Sequence, residues 1–418
     1  MTTPSRLLRG VRGGVMLTLS EHLDVHGPLP AAPRRSGGAA LLDAVEASGL
    51  RGRGGAHVAT ALKLRAVASR RRRPIVVGNG AEGEPASRKD GVLLAHAPHL
   101  VIDGAAVAAA AVGADEAVIA VKPTDAHAWR AVSRALAERR GGPRVSLAAV
   151  ADGYVSGQET AVIAALNGRP PLPTTVPPRP FERGVRNRPT FISNVETLAN
   201  LALIARHGPD WFRSAGTPSD PGTALVTLGG AVERPGVHEI ALGSRLADLL
   251  RAAGGVVDAP QAVLVGGYGA AWLRAEGLRD LTLGADDPRL GPGSIGAGVV
   301  WVLGEHACGV WETARILDYL AAESAGQCGP CLHGLRAIAD AFERLAHGRG
   351  RPGDGARLRR WGAEVTGRGA CRHPDGAARL LASALHVFGD EIDRHAAGRC
   401  SGSDRPSMPV PISFREAA

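Results

Sequence analysis

Lysine is nearly absent from this 418-residue chain: Lys63, Lys89 and Lys122 are the only three, and almost all positive charge is arginine. A net charge of +9 and a pI near 10 would ordinarily point to nucleic acid. Aromatic residues make up only 4% of the chain, so there are few rings for base stacking or for a membrane belt. The Ala/Gly/Arg/Pro bias reads as codon composition rather than a binding stripe, and nucleic acid is set aside as a partner. No apolar run approaches the roughly 20 residues that a spanning helix needs. The opening MTTPSRLLRGVRGGVMLTL has early arginines but no sustained apolar core and no clear cleavage site. The expectation is a cytoplasmic protein with no direct membrane insertion. The five cysteines (Cys308, Cys328, Cys331, Cys371 and Cys400) are odd in number and late in the chain, which fits metal ligation or free thiols better than a secreted disulfide framework.

The stretch GLRGRGGAHVATALK, Gly49 to Lys63, organises what is present. Glycines at 49, 52, 54 and 55 precede a helical run from Thr60, and a strand follows at Ile75 to Val77. Such a loop lets backbone N–H groups approach a ligand, and a helix N-terminus favours a phosphate. Alone it is a weak signal, since a glycine-rich turn is more often only a turn. A second loop, GNGAEGEPASRKD from Gly78 to Asp90, leaves that strand where ligands bind in open α/β sheets. It gathers Asn79, Glu82, Glu84, Lys89 and Asp90. Lys63 and Lys89 fall on these motifs in a chain where arginine has otherwise taken over, which suggests a site needing a compact ammonium.

The length allows two or three domains. Residues 1–37, rich in Pro, Gly and Arg, are expected to form a loosely packed arm, and Leu41, Leu42 and Val45 a short amphipathic helix. A buried helix is predicted from Pro98 to Gly113, a strand at Ala117–Val121, a helix at Asp125–Arg140 and a strand at Val145–Val150. This alternation implies a mostly parallel sheet with helices on its faces. YVSGQETAVIAALNGRPPLP and, after a proline-rich connector, RPTFISNVETLAN complete the first domain, residues 38–220. From 221 to 303 short β segments (Ala224–Leu228, Gly236–Ile240, Ala262–Val265, Gly298–Leu303) surround one helix, Ser244–Ala253. Residues 304–400 read as helical. Trp311, Ile316, Leu317 and Leu320 mark one helix face, and Leu335, Ile338, Phe342 and Leu345 another. Further helices are expected around Arg357–Val365 and Gly376–Ile392, with a tail at 401–418.

The two loops together resemble the FMN site of the NADH-binding flavoprotein subunit of complex I and of related hydrogenase and formate dehydrogenase subunits. That family reads GLRGRGGAGFPTGxKW and then NADEGEPxxxKD. Agreement covers Gly49–Ala56, Thr60, Lys63, Asn79, Glu82–Pro85, Lys89 and Asp90. It breaks at His57, Val58, Ala59, Ala61, Leu64, Gly80 and Ala81. The later family segments YxC/SGEETAL and RPTxVNNVETL are matched at Gly157, Glu159, Thr160, Arg188–Thr190 and Asn194–Leu198, with Gln158 in place of a carboxylate and Ser193 in place of an amide. Matching half-sites far apart and in order are much more specific than either alone. VTLGGAVERPGVHEI with the later VGGYG is similar to a soluble-ligand-binding β-grasp domain, with a scaffold role the expectation. ESAGQCGPCLHG, Glu323 to Gly334, corresponds to ESCGxCxPCREG, whose cysteines hold a 4Fe-4S cluster.

The resemblance implies an α/β FMN-binding domain, a β-grasp domain and a C-terminal helical-bundle iron–sulfur domain. FMN would be held by Gly52, Gly54, Gly55, Lys63, Asn79, Glu82, Gly157, Glu159, Asn194 and Thr197, with Glu82 and Lys63 as the catalytic pair. Cys328, Cys331 and Cys371 would bind the metal. Ala325 stands at the first ligand and cannot bind iron, so the cluster is 4Fe-4S with a substitute ligand (water, His333, His373 or Cys400) or 3Fe-4S. A zinc site, or two buried thiols beside a turn, is the plainer reading of the C-x-x-C pair. NAD(H) is a further expected ligand, weakened because Val58 and Leu64 replace the aromatic residues that would stack on adenine. Electrons would pass through FMN to a ferredoxin-like or other iron–sulfur partner, docking on the arginine-rich surface around Arg70–Arg73, in a protein peripheral to a membrane redox complex. The alternatives are a non-catalytic electron-transfer or assembly subunit and a β-grasp ligand-binding protein.

Overall fold

The computed structural model describes residues 5–30, 37–140, 143–291, 295–403 and 405–411. Parts of the expected arm (1–4 and 31–36) and of the tail (404 and 412–418) lie outside the described residues.

Its first layered unit contains α1 (Leu19–His26), α2 (Gly37–Ser48), α3 (Thr60–Ala68), β1 (Ile75–Gly80), α4 (Lys89–His96), α5 (Pro98–Val112), β2 (Glu116–Val121), α6 (Ala126–Glu138), β3 (Arg144–Ala149), α7 (Glu159–Leu166), β4 (Thr190–Asn194) and α8 (Val195–Arg213). The four strands are parallel in the order β3-β2-β1-β4. The chain order reverses beside β1, so the carboxyl ends of β1 and β4 flank a switch point of the kind that binds ligands. Ile75, Val76 and Val77 are wholly buried, as an unbroken apolar run in a parallel strand should be. α5 is built from small residues and nearly all of it is buried. Gly104 on α5 meets α8 so closely that a Cβ there would lie 1.8 Å from the Leu198 carbonyl oxygen. Among the described residues no single helix is long and apolar enough to cross a membrane.

The expected loose arm is anchored instead. Leu7 is fully buried in the main core, and Glu239 accepts hydrogen bonds from the backbone N–H groups of Arg6 (2.9 Å) and Leu7 (3.0 Å). α1 opens with a Thr18–Glu21 capping box and buries His22 and His26. Composition signalled a flexible segment, whereas one distant carboxylate collects its amides.

The second unit is a mixed sheet of β5 (Thr223–Gly230), β6 (Gly236–Ala241), β8 (Pro260–Val265), β9 (Ala271–Arg274) and β11 (Val299–Gly304) in the order β6-β5-β11-β8-β9, with α9 (Leu246–Ala252) beside it. A small antiparallel ladder joins β7 (Ser244–Arg245) to β10 (Thr282–Leu283). β9 and this ladder are too short to show in the sequence pattern. The helical C-terminal region holds α10 (Gly309–Ala322), α11 (Arg336–Ala346), α12 (Asp354–Val365), α13 (His373–Val387) and α14 (Gly389–Ala396). The single helix expected over 376–392 is broken at Phe388, which turns inward onto Trp272 of β9 at a ring distance of 5.4 Å. The helices and the second sheet thus share one core, with Leu264, Tyr268 and Trp272 packed among Ile316, Leu320 and Phe342.

Candidate functional site

β1 delivers the loop 81–88 to the switch point, and its polar groups are fixed by the chain itself. Asn79 donates from Nδ2 to the Gly157 carbonyl (2.8 Å), which joins the end of β1 to the turn before α7. A Cβ on Gly157 would stand 2.4 Å from the Ala81 carbonyl oxygen, so only glycine permits this approach. Glu82 accepts from Ser87 Oγ and from the N–H groups of Asp90 and Gly91 (both 3.2 Å), at the start of α4. Burial, reinforced by the Asp90 charge, lifts its carboxyl to about 7. Glu84 is also lifted to about 7 by burial, although it accepts from the N–H groups of Tyr268 (2.8 Å) and Ala86 (3.2 Å).

Beneath lies a buried charge cluster. Lys89 Nζ contacts Asp90 Oδ1 at 2.6 Å and Glu196 Oε2 at 3.0 Å, and Asn194 Nδ2 donates to Asp90 Oδ2 (2.6 Å). Burial acts against the Lys89 ammonium, but these carboxylates outweigh it and hold the charge firmly. Asn194 caps α8, its Oδ1 accepting from Glu196 N at 2.9 Å. The Thr197 hydroxyl accepts from Arg53 N at 2.9 Å, and Gly54 packs on Asn194. Lys122 donates to the Glu82 carbonyl at 2.7 Å. All three lysines of the chain therefore stand in this region, since Lys63 pairs with Glu159 at 3.0 Å.

The sequence-predicted residues are thus brought together in two groups. Asn79, Glu82 and Gly157 form one, and Gly54, Asn194 and Thr197 form the other, linked through Lys89 and Asp90. A cleft of about 1460 Å³ opens over Glu82, Glu84 and Lys122 and extends past Tyr319 and Glu323 to Cys331. Gly52, Gly54 and Gly55 do not line it. Gly52 and Gly55 instead border a cavity of about 10 Å³, room for a water rather than a flavin. The turn is closed upon Asn194, but its surroundings fit an anion: among the described residues α3 has no side-chain cap, and Thr60 Oγ1, buried at its first turn, has no partner. Glu84, Tyr154 and Glu323 join the site without having been expected as its working residues. The pair of glutamates in E-G-E-P and the scarcity of tyrosine were the available signals.

Four departures from the family pattern gain structural meaning. His57 holds a left-handed backbone (φ 51°) where the family has glycine, and its Nε2 lies 3.3 Å from Asp220. Gln158 caps α7 with its Oε1, accepting from Thr160 N at 2.7 Å. Val58 is 45% exposed, whereas Leu64 is 0% exposed in the core. The view of Leu64 as part of a lost stacking surface is thereby corrected: the helical period of α3 turns position 64 inward. Arg70–Arg73 are also less free than expected, since Arg70 lies over Phe181, Arg72 donates to the Asn187 carbonyl and Arg73 pairs with Asp115.

Cys331, which also lines the cleft, sits in a π-helical turn, Pro330–Leu335, a distortion common at functional positions. Burial, then the neighbouring Cys328 thiol, pushes the Cys331 thiol up to about 12, with Cys371 adding to the effect. Cys328 is partly desolvated, yet hydrogen bonding from the Ala370 and Cys331 backbones brings its thiol below the ordinary range. The Ala325 backbone bonds to the Cys331 sulfur, so the position of the missing ligand adjoins the others. One proposed substitute is excluded, since Cys400 sits with Cys308 at the opposite end of α10. His373 is not: its Nε2 lies 2.7 Å from the Leu320 carbonyl oxygen, which leaves its buried Nδ1 without a partner among the described residues.

This arrangement, a nucleotide-type switch point joined by one cleft to grouped thiols, defines a flavin and iron–sulfur electron-transfer protein. Residues 45–203 match the family described as the Nuo51 FMN-binding domain, 225–267 the SLBB domain, and 312–395 the NADH-ubiquinone oxidoreductase-F iron-sulfur binding region. The second NADH-quinone oxidoreductase F subunit of Rhizobium meliloti is 32% identical over 376 residues, covering 86% of this chain and 89% of the relative. The corresponding F subunit of Mycobacterium tuberculosis is 34% identical over 392 residues, covering 88% of each. Among solved structures, an NAD+-reducing NiFe hydrogenase in the air-oxidized state aligns with a TM-score of 0.78 at 30% identity over 91% of this chain and 67% of its own. The H2-reduced form aligns at 0.76 and 32% identity over 86% of this chain, which spans 63% of that chain's length. The chain belongs to the family of NADH-quinone oxidoreductase F subunits. It is an FMN and iron–sulfur oxidoreductase that passes electrons, of the NADH dehydrogenase-like class.

Proposed function

We propose that FMN is held between the Gly52–Gly55 turn, Asn194, Thr197 and the Asn79–Glu82 loop, with Lys63 and the open first turn of α3 receiving its phosphate. A bound FMN accepts a hydride's two electrons and releases them singly. The chain's own part is to hold charge and exclude water. Lys89 and Asn194 fix Asp90, while Glu82 and Glu84, both titrating near 7, stand where a proton must be held or released at the cleft wall. The observation that carries the reading is a cleft lined by both Glu82 and Cys331. Cys328, Cys331 and Cys371 would hold the cluster, with exposed His333, buried His373 or water opposite Ala325.

Further parts of the reading are that the second sheet is a β-grasp scaffold, the helical region a bundle, and the domain limits 38–220, 221–303 and 304–400. A nicotinamide donor fits the cleft, with an electron-accepting iron–sulfur protein, ferredoxin-like in kind, docking near Cys328. Leu332, 55% exposed in the same turn, supplies an apolar contact there. The test is a visible spectrum with flavin and iron analysis on anaerobically prepared protein, followed by NADH or NADPH. Yellow protein that bleaches supports the whole reading. Colour without bleaching removes the nicotinamide donor, and absence of both flavin and iron removes the function. Glu82→Ala and Asn194→Ala should each lower flavin occupancy, since a lost hydrogen-bond partner costs roughly 0.5–3 kcal/mol.

A further inference from the structure

A second group of metal-type ligands lies at the other end of α10. Cys308 caps the N-terminus of this helix, and Ala325 follows its C-terminus, so the two places are separated by a helix about 21 Å long at 1.5 Å per residue. Around Cys308 stand Glu391 and His395, one turn apart on α14, and Cys400 just beyond. One ligand atom from each, two sulfurs, one nitrogen and one oxygen, lies within 4.8 Å of all the others. The Cys308 Sγ–His395 Nε2 distance is 3.3 Å, and His395 Nε2–Glu391 Oε1 is 3.4 Å. A tetrahedron with metal–ligand bonds of about 2.0–2.3 Å has edges of about 3.3–3.8 Å, so these distances suit one ion at the centre.

The surroundings orient every ligand. His395 Nδ1 meets the Ala346 carbonyl, which can only accept, so Nδ1 carries the proton and Nε2 presents a lone pair to the thiols. Glu391 Oε1 faces that same nitrogen, and a cation between the two acceptors, either a proton on Nε2 or a metal ion, reconciles them. The other carboxylate oxygen, Oε2, is tied by Arg394 (2.9 Å) and by Ser401 Oγ (2.5 Å), while Ser401 N donates to Oε1 (2.8 Å). The N–H of Trp311 points at Cys308 Sγ (3.5 Å), a donor of the kind that a metal-bound sulfur accepts. Cys308, Glu391 and His395 are buried, and Cys400 closes the site from the surface.

We propose that Cys308, Glu391, His395 and Cys400 bind one structural zinc ion, separate from the iron–sulfur site. Thiolates with imidazole and a carboxylate in closed four-fold coordination suit Zn2+. The ion would clamp the segment after Cys400, whose Ser403 pairs with Ala307 and whose Met408 is buried against the helical core. Its loss would free that strap from α10.

The test uses the full chain and its Cys328→Ser/Cys331→Ser/Cys371→Ser variant, which removes the iron–sulfur thiols, each loaded with zinc chloride under reducing conditions. One zinc per chain is expected in both. Occupancy should fall roughly tenfold or more in Cys400→Ser, an exposed position that leaves the core intact, and in His395→Ala. Cobalt substitution should give tetrahedral visible bands and thiolate charge transfer that vanish with Cys400→Ser. Folded protein that takes up no zinc overturns the proposal. So does protein alkylated at lysis whose non-reduced peptides show Cys308 joined to Cys400, because those sulfurs would then form a disulfide.

Discussion

Tyr154 meets Tyr319 edge-on, with ring centroids 6.1 Å apart, and Tyr319 meets Tyr268 in the same way at 6.0 Å. These are the only tyrosines in the chain, and each comes from a different part of it: the turn after β3, the second sheet and α10. They surround Glu84, whose Oε2 takes the N–H of Tyr268. The flavin-site loop is therefore seated against the other two regions by an aromatic knot around one carboxyl group.

Stability should depend on pH through that group. Burial raises the Glu84 carboxyl to about 7, so the folded state holds its proton more tightly than the unfolded state does. Its contribution is full below the ordinary carboxyl value, is lost as pH rises through about 7, and amounts to about 3 kcal/mol at most. Urea unfolding from pH 5 to 8 should show falling stability in the parent and a flatter profile in Glu84→Gln. Parallel profiles would show that Glu84 titrates normally.

Lys89→Met should be strongly destabilising. It leaves Asp90 and Glu196 buried without their cation, and breaking a buried pair in this way costs about 3–5 kcal/mol. A double variant, Lys89→Met with Glu196→Gln, should recover part of the loss in the same denaturation assay.

Nicotinamide affinity should respond to position 58 and not to position 64. Val58→Phe adds a ring at an exposed place and should tighten NADH binding by about 1 kcal/mol if adenine stacks there. Leu64→Trp instead overfills a sealed core and should lower stability by about 1–3 kcal/mol without improving binding. Calorimetric titration and thermal melts separate the two effects.

Exposure to air should convert the parent's cluster to a form with a 3Fe-4S EPR signal, because the iron opposite Ala325 has no cysteine. Ala325→Cys should keep its iron and suppress that signal, while Cys331→Ser should lose most iron in either background. Negligible iron after anaerobic reconstitution of both parent and Ala325→Cys would leave the three thiols a structural role only.

Much of this was legible in the residues. The βα order, the three-part division and the convergence of Asn79, Glu82, Gly157, Asn194 and Thr197 follow from motifs whose residue types are tightly constrained. The rest depended on distance in sequence. Nothing local shows that Glu239 would gather the N-terminal amides, that position 64 turns inward, or that Lys122 completes the lysines of the site. Cys400 was weighed as an iron ligand from its type alone. Its actual neighbour, Cys308, comes 92 positions earlier in the chain, and only the packing of α14 onto α11 and α13 brings them together.

Gly104 is not among the residues proposed to hold a ligand, yet it sets how closely α8 approaches α5. The backbone it touches, at Leu198, is one turn from Asn194 and adjacent to Thr197 on the same helix. A single methyl at position 104 would push α8 outward along its buried length, and the residues at the start of α8 would move with it. With Asn194 and Thr197 holding the flavin as proposed, its retention depends on the interior as well as on the cleft: an alanine at 104 would keep every proposed ligand-holding residue in the sequence while changing the distances between them.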